Sequence, residues 1–294
     1  MTGNECLYKY VSAYVGIKIL ESETIRFSSP KTFNDPYDSD VPILFENTKC
    51  LDNKYFINLV KKIKQLPQAN TNECEDLGKS LEHYNNLGKR ITYDPKKYLD
   101  KCFYNLKKYM RILSLSKIND NLLMWGHYAD CHKGIVIGFS KSYMLFKNAR
   151  DVLYSSEIPA VGDKLVKDIL MTKSETLEAL EKVFLTKSTD WKYEQECRCM
   201  FDVRNNYKYI SSLKSFKYKC TQPKFIQELE AKENYIHQPF SKNCIKKIFI
   251  GTKTNIIDEY RIINIIKSKY PGTKIYKASL SQENFKMIFK EFII

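Results

Sequence analysis

The chain has 294 residues, 43% of them hydrophobic, with 21 Tyr and 16 Phe, which is ample material for a packed core and excludes a disordered chain. Its net charge of +14, carried mainly by lysine, and a pI near 9.2 favour polyanionic partners: nucleic acid, nucleotides or an anionic surface. The nine cysteines follow no repeating frame. Met1 to Ala13 is polar, and no apolar run is long enough to span a bilayer, so a reduced cytoplasmic protein with no membrane segment is expected.

In chain order, Leu7 to Tyr10 alternates as a strand, Val15 to Glu21 reads as a short helix, and Thr24 to Ser28 is a second strand with Ile25 and Phe27 on one face. Ser29-Pro30 and Phe33-Asn34-Asp35-Pro36-Tyr37-Asp38 form a turn held by two prolines. Residues 50–110 are spaced as helix around Leu51, Phe56, Leu59, Val60 and Ile63, and read as a helical insertion. Strands are expected at Arg111 to Ser116, Gly134 to Phe139, Val152 to Ser155 and Cys197 to Val203. Asn121 to Cys131 and Gly162 to Leu185 are expected as helices. Ile245 to Ile250, Asn255 to Lys267 and Lys274 to Lys277 make a C-terminal β-α-β unit. The class is α+β, one domain over residues 1–294 with a central mixed sheet.

Chemistry concentrates around the only two tryptophans, Trp125 and Trp191. On an extended strand, Glu194 and Glu196 would point the same way, about 6–7 Å apart. Two such carboxylates suit orienting a substrate hydroxyl and stabilising developing positive charge; as a bland alternative they pair with Arg198 and nearby lysines. Ser114 and Ser116 share a strand face and suit a ligand or a neighbouring loop. His127 offers an imidazole titrating near working pH. On a continuous helix it would share a face with Cys131, but no paired short-spaced ligands of the structural-zinc kind occur, and no metal is expected. Asn34 and Asp38 either build their turn or meet ligand hydroxyls, Lys9 and Tyr10 lie on the first strand, and the Gly251-Thr252 amides are placed to hold an anion.

The order of these segments resembles a bacterial family of proteins of unknown function, DUF2971. The matching residues run from Leu7-Tyr8-Lys9-Tyr10 through Ile25 to Pro30 and Phe33 to Asp38, then Ser114 to Ser116, Met124 to Asp130, His132-Lys133-Gly134 and Ile137-Gly138-Phe139. They continue with Lys187-Ser188, Trp191, Tyr193-Glu194, Glu196 and Arg198, and end at Ile248 to Gly251. The resemblance covers nearly the whole chain and implies no activity.

A more distant likeness is to ADP-ribosyltransferases of the arginine-serine-glutamate type, which carry an early basic strand residue, a Ser-Thr-Ser strand and a Glu-x-Glu segment. Lys9, Ser114-Leu115-Ser116 and Glu194-Gln195-Glu196 stand in that order here, with Lys9 in place of arginine and Leu115 in place of threonine. The likeness implies NAD as substrate, with Lys9 holding phosphate or ribose and Glu196 contacting ribose hydroxyls at an oxocarbenium-like transition state. Glu194 would orient the acceptor, a nucleic acid or protein, and Tyr10, Asn34, Asp38, Tyr128 and Arg198 would complete the binding set. The expected function is an ADP-ribosyl-transferring or NAD-consuming enzyme, a toxin-like effector of phage defence. The alternatives are a nucleic-acid-binding or RNA-processing protein using basic surface and exposed aromatics, and a structural interaction module with Trp125 and Trp191 as core anchors.

Overall fold

The structure is a computed structural model, and it describes residues 6–39, 107–160, 182–203 and 234–292. Most of the expected insertion at 50–110 and most of the helix expected over 162–185 lie outside the described residues. The first strands and helices follow the hydrophobic pattern closely. They are β1 (Cys6–Val11), α1 (Ala13–Ser22), β2 (Thr24–Ser28), β3 (Met110–Ser116), α2 (Leu122–Tyr128) and β4 (Ile135–Ser140). Short β5 (Arg150–Asp151), β6 (Leu153–Ser155) and β7 (Thr186–Ser188) precede β8 (Glu196–Asp202). The remaining elements are β9 (Tyr235–Pro239), β10 (Ile245–Ile250), α3 (Ile256–Lys269), β11 (Lys274–Leu280) and β12 (Met287–Phe292). Strands β9 and β12 were not expected from the sequence.

Among the described residues, ten strands form one mixed sheet in the order β12-β11-β10-β4-β1-β3-β2-β9, with β8 on β3 and β5 on β8. The parallel pair β10–β11, bridged by α3, is the expected β-α-β unit. Side-chain alternation divides the sheet into two faces. Leu7, Val11, Leu113, Leu115, Cys197, Cys199 and Phe201 point to one face and pack with Ile17 and Leu20 of α1 and Ile262 and Ile266 of α3. Tyr8, Tyr10, Val136 and Phe249 point to the other, beneath Met124 and the fully buried Trp125 of α2.

One irregularity creates the space for a site. Strand β3 pairs with β8 along its whole length, but on its other edge it meets β1 only at Tyr8↔Ser116 and β2 only at Ser28↔Ile112. The sheet is therefore forked between β1 and β2. At the far end of β1, the turn after α2 holds Asp130, Cys131 and His132 at positive φ. Gly134 is required there because a Cβ would stand 2.1 Å from the Val11 carbonyl oxygen.

Candidate functional site

The fork opens into a cavity of about 750 Å³ that is lined from α1 as well as from α2. Ten sequence-expected residues line it: Lys9, Tyr10, Asn34, Asp38, Ser114, Ser116, His127, Tyr128, Glu194 and Glu196. The eleventh, Arg198, does not line it; it is fully buried. The α2 face is the one to which β3 and β8 alternation sends Ser114, Ser116, Glu196 and Arg198, since Ser116 pairs with Glu196 and Ser114 with Arg198.

The two glutamates are not consecutive on a strand, contrary to expectation. Glu194 ends a 3₁₀ turn (Thr189–Glu194), Gln195 adopts the left-handed conformation at φ 44°, and β8 begins at Glu196. The turn forms because Ser188 caps it through the Asp190 amide and because Lys117 N–H fastens the Gln195 carbonyl at 3.1 Å. Both carboxylates consequently close on one ammonium, that of Lys187. Lys187 Nζ lies 2.7 Å from Glu194 Oε2, 3.4 Å from Glu196 Oε2 and 3.6 Å from Asp38 Oδ2. Its place next to Ser188, ahead of the turn, does not mark it out from other lysines; only the fold shows it buried.

Arg198 completes the cluster. Its Nε donates to Glu196 Oε1 at 2.7 Å, and its Nη1 and Nη2 fork onto Asp38 Oδ1 and Oδ2 at 2.7 and 2.6 Å. Asp38 is therefore an ion-pair partner and not a free ligand for hydroxyls. The proline-held loop presents it: Tyr37 N–H bonds Asp35 Oδ1 and Asp38 N–H bonds the Asp35 carbonyl. Burial by itself would raise the Glu196 carboxyl, but the Arg198 guanidinium outweighs burial and holds it down at about 2. Burial likewise opposes the Lys187 charge, and Glu196, Glu194 and Asp38 together overcome it and raise that ammonium.

Other expected residues have structural partners. Ser116 Oγ donates to the Glu194 carbonyl at 2.7 Å and accepts the Ile118 amide, so its hydroxyl is spent on the turn; Ser114 bonds Glu196 directly. Tyr10 donates to the Ile118 carbonyl and sets its ring edge-on against Trp125. Tyr128 Oη donates to Glu194 Oε1 at 2.6 Å and also bonds Asn34; burial first, then the Glu194 carboxylate, raises its pKa. His127 is exposed at the cavity wall, between the rings of Tyr128 and Tyr193 at 6.2 and 6.3 Å. Helix α2 ends at Tyr128 and Cys131 lies in the left-handed turn beyond it, so His127 and Cys131 do not share a helical face. The Gly251 and Lys253 amides are taken by the Gly134 and His132 carbonyls, so the Gly251 amide is not free to hold an anion.

Lys9 stands apart from the cluster. Its ammonium reaches across the fork to the Ser114 carbonyl at 2.9 Å. Burial, followed by the nearby Arg26 charge, lowers its pKa to about 8 against the opposing pull of Glu196 and Glu194. Trp191, expected as a packing anchor, is only half-buried, and its ring lies 4.7 Å from Lys187 Nζ in a cation–π contact. Trp125 alone is the core anchor, with its indole N–H on the Asn119 carbonyl at 2.8 Å.

In charge terms, Asp38, Glu194 and Glu196 face Lys187 and Arg198, leaving one net negative charge on the cluster, with Lys9 opposite it across the fork. The wall of the cavity is thus negative at β8 and positive at β1.

These features define an α+β protein with a forked mixed sheet and a buried acid–base cluster at the fork. Residues 124–199 match the family model of a protein of unknown function, DUF2971. The match takes in His127, Tyr128, Lys187, Glu194, Glu196 and Arg198, and is narrower than the near full-length resemblance read from the sequence, leaving Lys9, Tyr10, Asn34, Asp38, Ser114 and Ser116 outside it. Searches among curated proteins and among solved structures gave no match. Among the described residues, no helix is long and apolar enough to cross a membrane.

Proposed function

We propose that the cavity takes NAD as substrate and that the protein transfers its ADP-ribosyl group to an acceptor or to water. The observation that carries this reading is the charge separation across the fork. NAD pairs a sugar carbon that becomes electron-poor in the reaction with an anionic diphosphate, and the wall offers carboxylates for the first and Lys9 for the second. The volume of about 750 Å³ lies in the usual range for small-molecule and cofactor sites.

NAD supplies an N-glycosidic bond whose cleavage sends the electron pair off with nicotinamide and leaves the ribose carbon cationic. Glu196 is held ionised by Arg198 and Lys187 and is already fixed in place, so it stabilises that charge without reorganising. Glu194, oriented by Tyr128 and Lys187, receives the proton that the acceptor gives up as it bonds to the ribose carbon. Lys9 contributes a cation for the diphosphate as a point charge, without the bidentate fork an arginine would provide.

The test is nicotinamide release from NAD in the presence of nucleic acid or lysate. Glu196→Gln is expected to lower the rate by about 100-fold or more, the scale of losing a preorganised electrostatic group. Tyr128→Phe, which keeps the ring and removes only the bond to Glu194, is expected to lower it less. Wild type and Glu196→Gln releasing equally little nicotinamide would end the NAD reading.

A further inference from the structure

The outer half of the same cavity differs in chemistry from its carboxylate floor. It is lined by Tyr14 and Lys18 on α1, Arg26 on β2, and Tyr235 and His237 on β9. All five side chains are exposed. Tyr14 and Lys18 sit four residues apart on one helical face, with the Lys18 ammonium 4.4 Å from the Tyr14 ring centroid. The β2–β9 register sets Arg26 opposite His237, and the Arg26 guanidinium lies 5.8 Å from the Tyr235 ring, which meets His237 edge-on at 5.3 Å.

The acidic lining residues, Asp38, Glu194 and Glu196, all belong to the floor cluster. Among the described residues, neither Lys18 nor Arg26 makes an ion pair; each rests on an aromatic ring instead. Cations without an acidic partner therefore lie beside exposed aromatic rings in the same cavity as the floor. Phosphate needs the cations but not the rings, and an acidic peptide would use the rings no better. A strand of unpaired nucleotides uses both, through its backbone charge and the π-face of every base. A duplex hides those faces. The chain's net charge of +14 supports approach by such a strand.

We propose that this rim docks single-stranded nucleic acid, with phosphates on Lys18 and Arg26 and bases against Tyr14 and Tyr235, and leads a nucleotide to the carboxylate floor as acceptor. The acceptor role rests on the NAD reading; the docking does not.

The experiment is an anisotropy titration of the full chain with a labelled single strand of about 12 nucleotides, within the site sizes typical of such grooves, and with its duplex. The rim reversal Lys18→Glu with Arg26→Glu is compared with Lys246→Glu and Lys290→Glu, two exposed lysines elsewhere that change the net charge equally. Losing two phosphate contacts should weaken single-strand binding about tenfold or more at the rim, and far less at the remote pair. Tyr235→Ala should cost about fivefold or more with the salt dependence unchanged, as expected for a lost base stack. Equal losses from rim and remote reversals, a duplex bound as tightly as the strand, or no binding by wild type would overturn the docking strip. Glu196→Gln separates the two ideas: it should bind the strand like wild type while releasing nicotinamide about 100-fold or more slowly. Strand binding lost on rim reversal in a protein that never releases nicotinamide would retain the strip and remove the acceptor role. Nicotinamide release with no rim-dependent binding would remove the strip alone.

Discussion

Lys9 is the residue whose chemistry is most sensitive to its position. As an exposed lysine it would stay charged far above neutrality; at the fork, burial lowers it from 10.5 to about 8. Between those values the unfolded chain binds more protons at this position than the folded one, so stability gains with rising pH from about 8 to 10.5 as the buried charge is relieved. Ligand binding runs the other way, because the cation offered to a phosphate disappears above pH of about 8. The KM for NAD is accordingly expected to climb through that pH, and the climb should vanish in Lys9→Arg, which stays protonated. A flat wild-type profile in initial-rate measurements would exclude Lys9 as the phosphate cation. The sequence identified Lys9 and both glutamates by residue type and order, but it gave Lys187 no weight. Nothing in the local pattern distinguishes a lysine that will be buried among three carboxylates from the many that face water.

At the scale of elements, the turn into β8 determines how the two acids are presented. Alternation along a continuous strand would have placed Glu194 and Glu196 side by side. The left-handed Gln195 instead ends the 3₁₀ turn and redirects the chain, so both acids meet Lys187 from different elements. Gln195 is exposed, and its own side chain is not what the site needs; its backbone conformation is. Gln195→Gly should leave stability within about 1 kcal/mol, since glycine adopts that conformation freely at some entropic cost. Gln195→Val should cost roughly 1–2 kcal/mol and lower nicotinamide release, because a β-branched residue resists positive φ. Denaturant unfolding of the two variants measures the first effect, and equal stabilities would show that the turn is held by its flanking bonds alone. Strand positions were legible because the apolar residues alternate: β2 and β10 match expectation residue for residue. Strands β9 and β12 were missed because they are half exposed and their alternation is weak.

Across the whole molecule, the ion cluster joins segments far apart in the chain: the loop at Asp38, Lys187 beside the capped turn, and Glu196 and Arg198 on β8. Asp38→Asn removes the forked partner of Arg198 and leaves that buried guanidinium to Glu196 alone, so it should cost about 3 kcal/mol by urea unfolding. The Glu196 carboxyl is depressed from 4.5 to about 2 in the folded state. In that window the unfolded chain holds more protons, so its contribution to stability is present above 4.5 and is lost as pH falls toward 2. Glu196→Gln should flatten that part of the acid-unfolding profile, and an unchanged slope would show that other carboxylates govern it. The sequence by itself determined the α+β class, the placement of most strands and the residue types of the site, because periodicity and composition are local properties carried by each segment. Tertiary structure alone decided that the sheet forks between β1 and β2, that Asp38 and Arg198 are partners 160 residues apart, and that Lys187 sits among the acids. Those depend on which distant segments share a face and how many charges are taken out of water together, and no local pattern records either.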